Sequence, residues 1–67
     1  MNITVNDEVV ETQATDVEKL VEERLGKVPQ SGTAVAVDAR VVARSAWAST
    51  PLHEGAVVDI LTAVQGG

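Results

Sequence analysis

Only one stretch of this chain carries helical periodicity, and both of its ends are marked. Val17, Leu20, Val21 and Leu25 recur at the spacing of one helix face, which takes an apolar residue every three or four positions. Thr15-Asp16-Val17-Glu18 reads as a capping box: the Thr15 hydroxyl accepts from a free amide of the first turn, and Glu18 reaches back to the Thr15 amide. Asp16 and Glu18 also suit the positive end of the helix dipole. Gly26 follows the last apolar position, where a left-handed cap favours glycine, and Pro29 keeps the helix from resuming. The pattern predicts a helix from Asp16 to Leu25, with Glu18, Lys19, Glu22 and Glu23 on its wet side. A lone helix has one apolar stripe, and the rest of the chain must cover it.

The remaining segments alternate with a strand's period. Ile3 and Val5 point one way and Asn2 and Thr4 the other. Asn6-Asp7-Glu8 is rich in turn formers, so Val9-Val10-Glu11 returns antiparallel as the second arm of a hairpin. Lys27 to Thr33, with Pro29, Ser31 and Gly32, reads as a loop. Ala34-Val35-Ala36-Val37 is a short continuous apolar run, the pattern of a strand buried on both faces. Asp38-Ala39-Arg40 interrupts it and Val41-Val42 returns. Arg44 to Ser49 lacks a strand pattern and is expected to form an irregular connection or a single turn anchored by Trp47. Thr50 to Gly55 is turn chemistry. Val57 to Val64 is the longest apolar stretch, with Val58, Ile60 and Val64 on one face and Asp59, Leu61 and Ala63 on the other, as in a central strand. The expected fold is α+β: a mixed sheet of four to five strands with one main helix on one face.

Composition removes several classes of function. The chain has 67 residues, no cysteine and a single histidine, His53. A folded chain of this size buries only about 60% of the surface it exposes when unfolded. Disulfides, a thiolate metal site and a catalytic cysteine are excluded, and a histidine metal cluster is disfavoured. The net charge of −5 opposes nucleic-acid binding, which needs clustered Lys and Arg, and suits a basic partner surface. No run approaches the ~20 apolar residues of a membrane span, and the N-terminus has no secretory pattern, so the cytoplasm is the expected location. Ser31, Ser45 and Ser49 have no evident base, His53 sits in a turn, and Glu18, Glu22 and Glu23 read as a solvated helix face. Arg44 has three open alternatives: a nearby acid, a partner, or solvent. Catalysis by this chain is not expected.

The last three residues, Gln65-Gly66-Gly67, run past the final apolar stretch. Composition alone reads them as a frayed terminus. Sterics offer a second reading, because a chain end entering a narrow active site cannot carry Cβ atoms, and two glycines make the thinnest stalk for a free carboxylate.

The whole chain resembles the ThiS family of sulfur carriers, within the ubiquitin-like β-grasp group. The likeness is carried by Val35-Ala36-Val37-Asp38, by Val41 to Trp47 with Arg44 three residues before Trp47, by Leu52 and Gly55, and by the ending Ile60 to Gly67. Asp38-Ala39 departs from the family's usual Asn-Gly pair; a left-handed alanine costs roughly 1–2 kcal/mol, so a different turn type is expected. Ala56 stands where an acidic residue often follows the turn glycine.

The resemblance implies a β-grasp domain over 1–64 and a flexible functional tail over 65–67. It implies that Gln65, Gly66 and Gly67 enter partner active sites and that the Gly67 carboxylate is the modified group. A ThiF-type adenylyltransferase would activate it with ATP and magnesium, a cysteine desulfurase would supply sulfur, and the thiocarboxylate would pass it to the thiazole synthase ThiG. The carrier itself would bind no cofactor. The same ending also fits a MoaD-type carrier for molybdopterin synthesis, or a ubiquitin-like tag conjugated to lysines. The open sheet face near the last strand is the expected docking surface.

Overall fold

In the computed structural model, which describes residues 1–62, the elements follow the order β1 (Asn2–Val5), β2 (Glu8–Glu11), α1 (Val17–Leu25), β3 (Thr33–Val37), β4 (Arg40–Val42), a 3-10 helix (Arg44–Ser49) and β5 (Val57–Thr62). The five strands form one mixed sheet in the order β2-β1-β5-β3-β4. The two hairpins β1–β2 and β3–β4 are antiparallel, β5 runs antiparallel to β3, and β1 lies parallel to β5. The last strand is therefore central, as its apolar density predicts.

Helix α1 begins one residue later than expected, and a different side chain caps it. Asp16 is the N-cap, and its Oδ1 accepts from the Lys19 amide at 2.8 Å. Thr15 is exposed; its carbonyl accepts from Leu52 N at 3.0 Å while Val17 N donates to the Thr50 carbonyl at 3.1 Å. Backbone pairing with the 50–52 segment fixes the chain before Asp16, so the cap falls to the next residue able to accept. Glu18 consequently does not close a capping box. At the other end Gly26 adopts φ +80 and its amide donates to the Glu22 carbonyl at 2.8 Å, the left-handed cap that glycine permits.

Both hairpins turn on two residues with positive φ. Asn6 and Asp7 have φ of 50 and 69, and Asp38 and Ala39 have φ of 51 and 70. Such paired left-handed residues match the right-handed twist of the flanking strands. The Asp38-Ala39 turn thus keeps the geometry that Asn-Gly would adopt, contrary to the expected change of turn type. Asp38 offsets the strained alanine with anchoring bonds: its amide donates to the Val57 carbonyl at 2.7 Å and its Oδ1 accepts from Val57 N at 3.0 Å.

The core lies between α1 and one sheet face. Ile3, Val5, Val17, Leu20, Val21, Val35, Trp47, Leu52, Ala56, Val58 and Ile60 are buried, each large aliphatic member contributing about 1.5–3 kcal/mol relative to exposure. Strand β3 is not buried on both faces: only Val35 is fully buried, while Ala34 is exposed and Ala36 half-buried. Helix α1 covers one side of the sheet, and the alanines lie on the other.

The 3-10 helix holds Trp47, which is 1% exposed. Its Nε1 donates to the Val42 carbonyl at 3.0 Å, and the Arg44 guanidinium stands 4.7 Å from its ring centroid. Arg44 Nε donates to the Pro29 carbonyl at 3.0 Å, and its Nη1 is 3.7 Å from Glu18 Oε2. One arginine thus links this segment to the 27–33 loop and to α1. Runs of 3-10 helix beyond three or four residues are uncommon, and these tethers account for six.

Candidate functional site

Alternation along the strands decides what the uncovered side of the sheet carries. Val58 and Ile60 point into the core, so Val57, Asp59 and Leu61 point away from it. The register places Leu61 opposite Ala34, Asp59 opposite Ala36, and Ala36 opposite Val41. On the other flank Thr4 pairs with Val57 and with Val9. The open face is therefore a largely apolar strip of Val9, Val57, Ala36, Val41, Ala34 and Leu61, with Thr4 between Val9 and Val57 and Asp59 near its middle. Val41 is 82% exposed, Val9 73% and Leu61 69%. Contiguous exposed apolar side chains on a small domain mark an interaction surface, and the two alanines leave the backbone of β3 open to close approach.

This strip leads to the end of β5. A shallow groove of about 440 Å³ lined by Gly32, Thr33, Ala34, Leu61 and Thr62 opens beside it. The residues of the expected tail, Gln65, Gly66 and Gly67, lie outside the described residues, as do Ala63 and Val64 and hence the 64/65 boundary.

The opposite end of β5 is pinned by a polar cluster. The segment His53-Glu54-Gly55-Ala56 forms a turn closed by Ala56 N to the His53 carbonyl at 3.0 Å, with Gly55 at φ +83, a position that demands glycine. His53 Nε2 is 2.8 Å from Asp38 Oδ2 and its Nδ1 3.0 Å from the Glu54 carbonyl. Both ring nitrogens thus face acceptors, which favours the doubly protonated ring. The hydrogen bond to Asp38 is the largest influence raising the His53 pKa from its ordinary 6.5. Asp38 is lowered, first by the Val57 amide and then by His53. Glu54 Oε2 accepts from Asn2 N at 3.0 Å.

Other residues weighed in the sequence take structural places. Trp47 is an anchor and offers no exposed indole. Ser49 Oγ donates to the nearby Ala46 carbonyl at 3.2 Å, and His53 engages Asp38 rather than a serine. The acids of α1 do not share a role: Glu18 faces Arg44, while the Glu23 carboxylate accepts from the buried Thr12 hydroxyl at 2.8 and 2.9 Å. Among the described residues no group of three or more His, Cys, Asp or Glu is placed to hold a metal ion. Likewise, no described helix is long and apolar enough to cross a membrane.

One residue near the site escapes a sequence reading. Asn6, by its type a turn former, bonds both polar groups of Ile60: its Oδ1 accepts from Ile60 N at 2.8 Å and its Nδ2 donates to the Ile60 carbonyl at 3.2 Å. The residue type was legible, but a partner 54 positions away was not.

A five-stranded mixed sheet with parallel pairing of the interior strands β1 and β5, one helix across one face and an open opposite face define a ubiquitin-like β-grasp protein. The profile of the ThiS family matches residues 1–67, and the chain belongs to that family. Among solved structures, it is similar to a crystal structure of the thiamine biosynthesis protein ThiS from Geobacter metallireducens, with 26% identity over 100% of both chains and a TM-score of 0.77. A solution structure of a thiamine biosynthesis protein from the same organism superimposes with a TM-score of 0.75 at 28% identity, covering 100% of this chain and 88% of the other. Comparison with curated proteins returns no match.

Proposed function

We propose that the protein is a sulfur carrier of thiamine biosynthesis, acting in the cytoplasm as a co-substrate of other enzymes. The observation that carries this reading is the family match across residues 1–67, supported by likeness in fold to thiamine biosynthesis proteins along the full chain. Gly67 is the proposed reactive residue, with Gln65 and Gly66 forming the stalk that enters partner active sites.

A carboxylate resists attack at neutral pH because displacement would expel an oxide. In the proposed cycle a ThiF-type adenylyltransferase uses ATP and magnesium to convert the Gly67 carboxylate to an acyl adenylate, releasing pyrophosphate. The outer sulfur of a persulfide, charged by a cysteine desulfurase, attacks the acyl carbon and displaces AMP. A thiol then breaks the sulfur–sulfur bond of the acyl disulfide, leaving a thiocarboxylate on the carrier and a disulfide on the donor. The thiocarboxylate delivers its sulfur to the thiazole synthase ThiG, and the carboxylate returns. The carrier binds neither nucleotide nor metal in this scheme.

The open face supplies the docking surface in this reading. Its apolar strip continues toward the end of β5, so a partner seated on it would have the tail within its reach. The test is pyrophosphate release by the adenylyltransferase. It is expected with the full chain and absent when Gly67 is deleted, and equal release from both would overturn the proposal.

A further inference from the structure

Asp59 is out of keeping with its surroundings. It is half-buried on the open face, opposite Ala36 and between Val57 and Leu61 along the same side of β5. Among the described residues its carboxylate enters no ion pair; the pairs formed are Asp16–Lys19, Glu8–Arg24, Glu18–Arg44 and Asp38–His53. A carboxylate set among apolar side chains gives up part of its hydration, and no described contact within the fold offsets that loss.

The chain has no cation to send there. Of its five basic residues, Lys19 and Arg24 lie on α1 and Lys27 just beyond it, on the covered side of the sheet. Arg44 is tied to Pro29 and Glu18. Arg40 stands opposite Val37, which pairs with buried Val58, and so shares the covered side. The N-terminal ammonium donates to the Thr12 carbonyl at 2.9 Å, and no Lys or Arg follows Arg44 in the sequence. The strands put one further charge on the open face, Glu11 opposite Asn2, and it too is an acid.

We infer that the protein docking on this face brings an arginine to Asp59, which makes Asp59 the specificity contact of the surface. This inference rests on the proposed function. A guanidinium is weakly hydrated, and its planar fork matches both oxygens of a carboxylate, so it suits a site ringed by apolar side chains. The small Ala36 side chain opposite leaves the carboxylate open to approach from the β3 side. A second copy of this chain is the poorer occupant. A two-fold contact through the face uses the same patch twice and would set acid against acid near its centre.

The test measures pyrophosphate release by the adenylyltransferase against carrier concentration, at low and high salt. Asp59→Asn keeps the shape and removes the charge, and Asp59→Glu keeps the charge. Glu22→Gln, exposed on α1, removes the same unit of net charge from the other side. Losing one member of a desolvated charge pair weakens a complex severalfold to far more, so Asp59→Asn should raise KM about tenfold or more with kcat within about twofold. Asp59→Glu should recover most of that loss, and Glu22→Gln should leave KM within about twofold of wild type. The wild-type KM should climb with salt while that of Asp59→Asn hardly moves. Because the fold draws nothing from the charge, Asp59→Asn should melt no lower than wild type, which keeps its KM readable. A wild-type KM in Asp59→Asn overturns the inference while the carrier reading stands; self-association of that variant in sedimentation would then make the acid a guard against a second copy. An equal rise in Glu22→Gln would assign the effect to net charge and also overturn it. If wild type releases no pyrophosphate, the carrier reading fails and the inference falls with it.

Discussion

His53 and Asp38 meet at 2.8 Å at the turn of the β3–β4 hairpin, and the same Asp38 carboxylate receives the Val57 amide that opens the central strand. One acid therefore serves a turn, a histidine and the start of the strand that leads to the proposed tail. The pair is exposed, at 63% and 46% of the side chains, so its energetic weight is screened, but its titration is readable.

His53 gains affinity for its proton on folding. Its contribution is thus complete below 6.5 and lost as pH rises through the elevated folded value. Asp38 shifts downward, so its contribution is complete above 3.8 and lost as pH falls through the depressed folded value. The interaction is whole between 3.8 and 6.5 and declines on either side. Following the His53 ring protons by NMR should give a pKa above 6.5 in wild type, moving back toward it in Asp38→Asn. An unchanged titration in the variant would contradict the assigned pairing.

The two candidate caps of α1 can be told apart by removing each. Asp16→Ala should destabilise the protein by about 1 kcal/mol, the usual loss for an N-cap. Thr15→Ala should change stability by less than about 0.5 kcal/mol, as expected of an exposed side chain that makes no special contact. Denaturant melts of the two variants decide, and the reverse order of effects would restore the capping box.

Ala39 at φ 70 carries strain that a glycine would not. Relief is worth roughly 1–2 kcal/mol, and the greater freedom of glycine in the unfolded chain returns about 0.4–1 of that. Ala39→Gly should therefore raise stability by about 0.5–1 kcal/mol, a few degrees in Tm for a domain this small. A lowered Tm would mean that the turn does not hold the left-handed geometry.

These cases show where sequence information stops. Helix α1, its Gly26 end, both hairpins and the centrality of β5 are written in periodicity and turn chemistry, which act over a few residues. The identity of the N-cap was not legible because the 50–52 segment, more than thirty positions away, engages the backbone beside Thr15. The apolar run Ala34 to Val37 implies two buried faces, but apolar character alone cannot reveal that a lone helix covers only one. Arg44 and Trp47 were legible as a motif, while their stacking and the tether to Pro29 depend on packing. Of the candidate site, the open face could be read by alternation, whereas the reach of Asn6 to Ile60 could not.

A charge placed on the open face should separate docking from folding. Val41→Asp and Leu61→Asp alter side chains that are 82% and 69% exposed, so each should shift stability by no more than about 1 kcal/mol. An aspartate buried against an apolar partner without a counterion is far costlier. We expect KM for the adenylyltransferase to rise about tenfold or more in each variant, a loss of about 1.4 kcal/mol in binding. Unchanged KM in folded variants would place the docking surface elsewhere.

The central claim is that sulfur rides on the carboxylate of Gly67. The most direct measurement is high-resolution intact mass of the chain after incubation with the adenylyltransferase, ATP and a persulfide donor, read alongside a thiocarboxylate-selective reagent so that oxidation of Met1 or Trp47 is not mistaken for sulfur. The account predicts replacement of one oxygen by sulfur, confined to the C-terminal peptide, dependent on ATP and abolished by deletion of Gly67. A chain that emerges with its mass unchanged, or that gains sulfur anywhere other than Gly67, would contradict it.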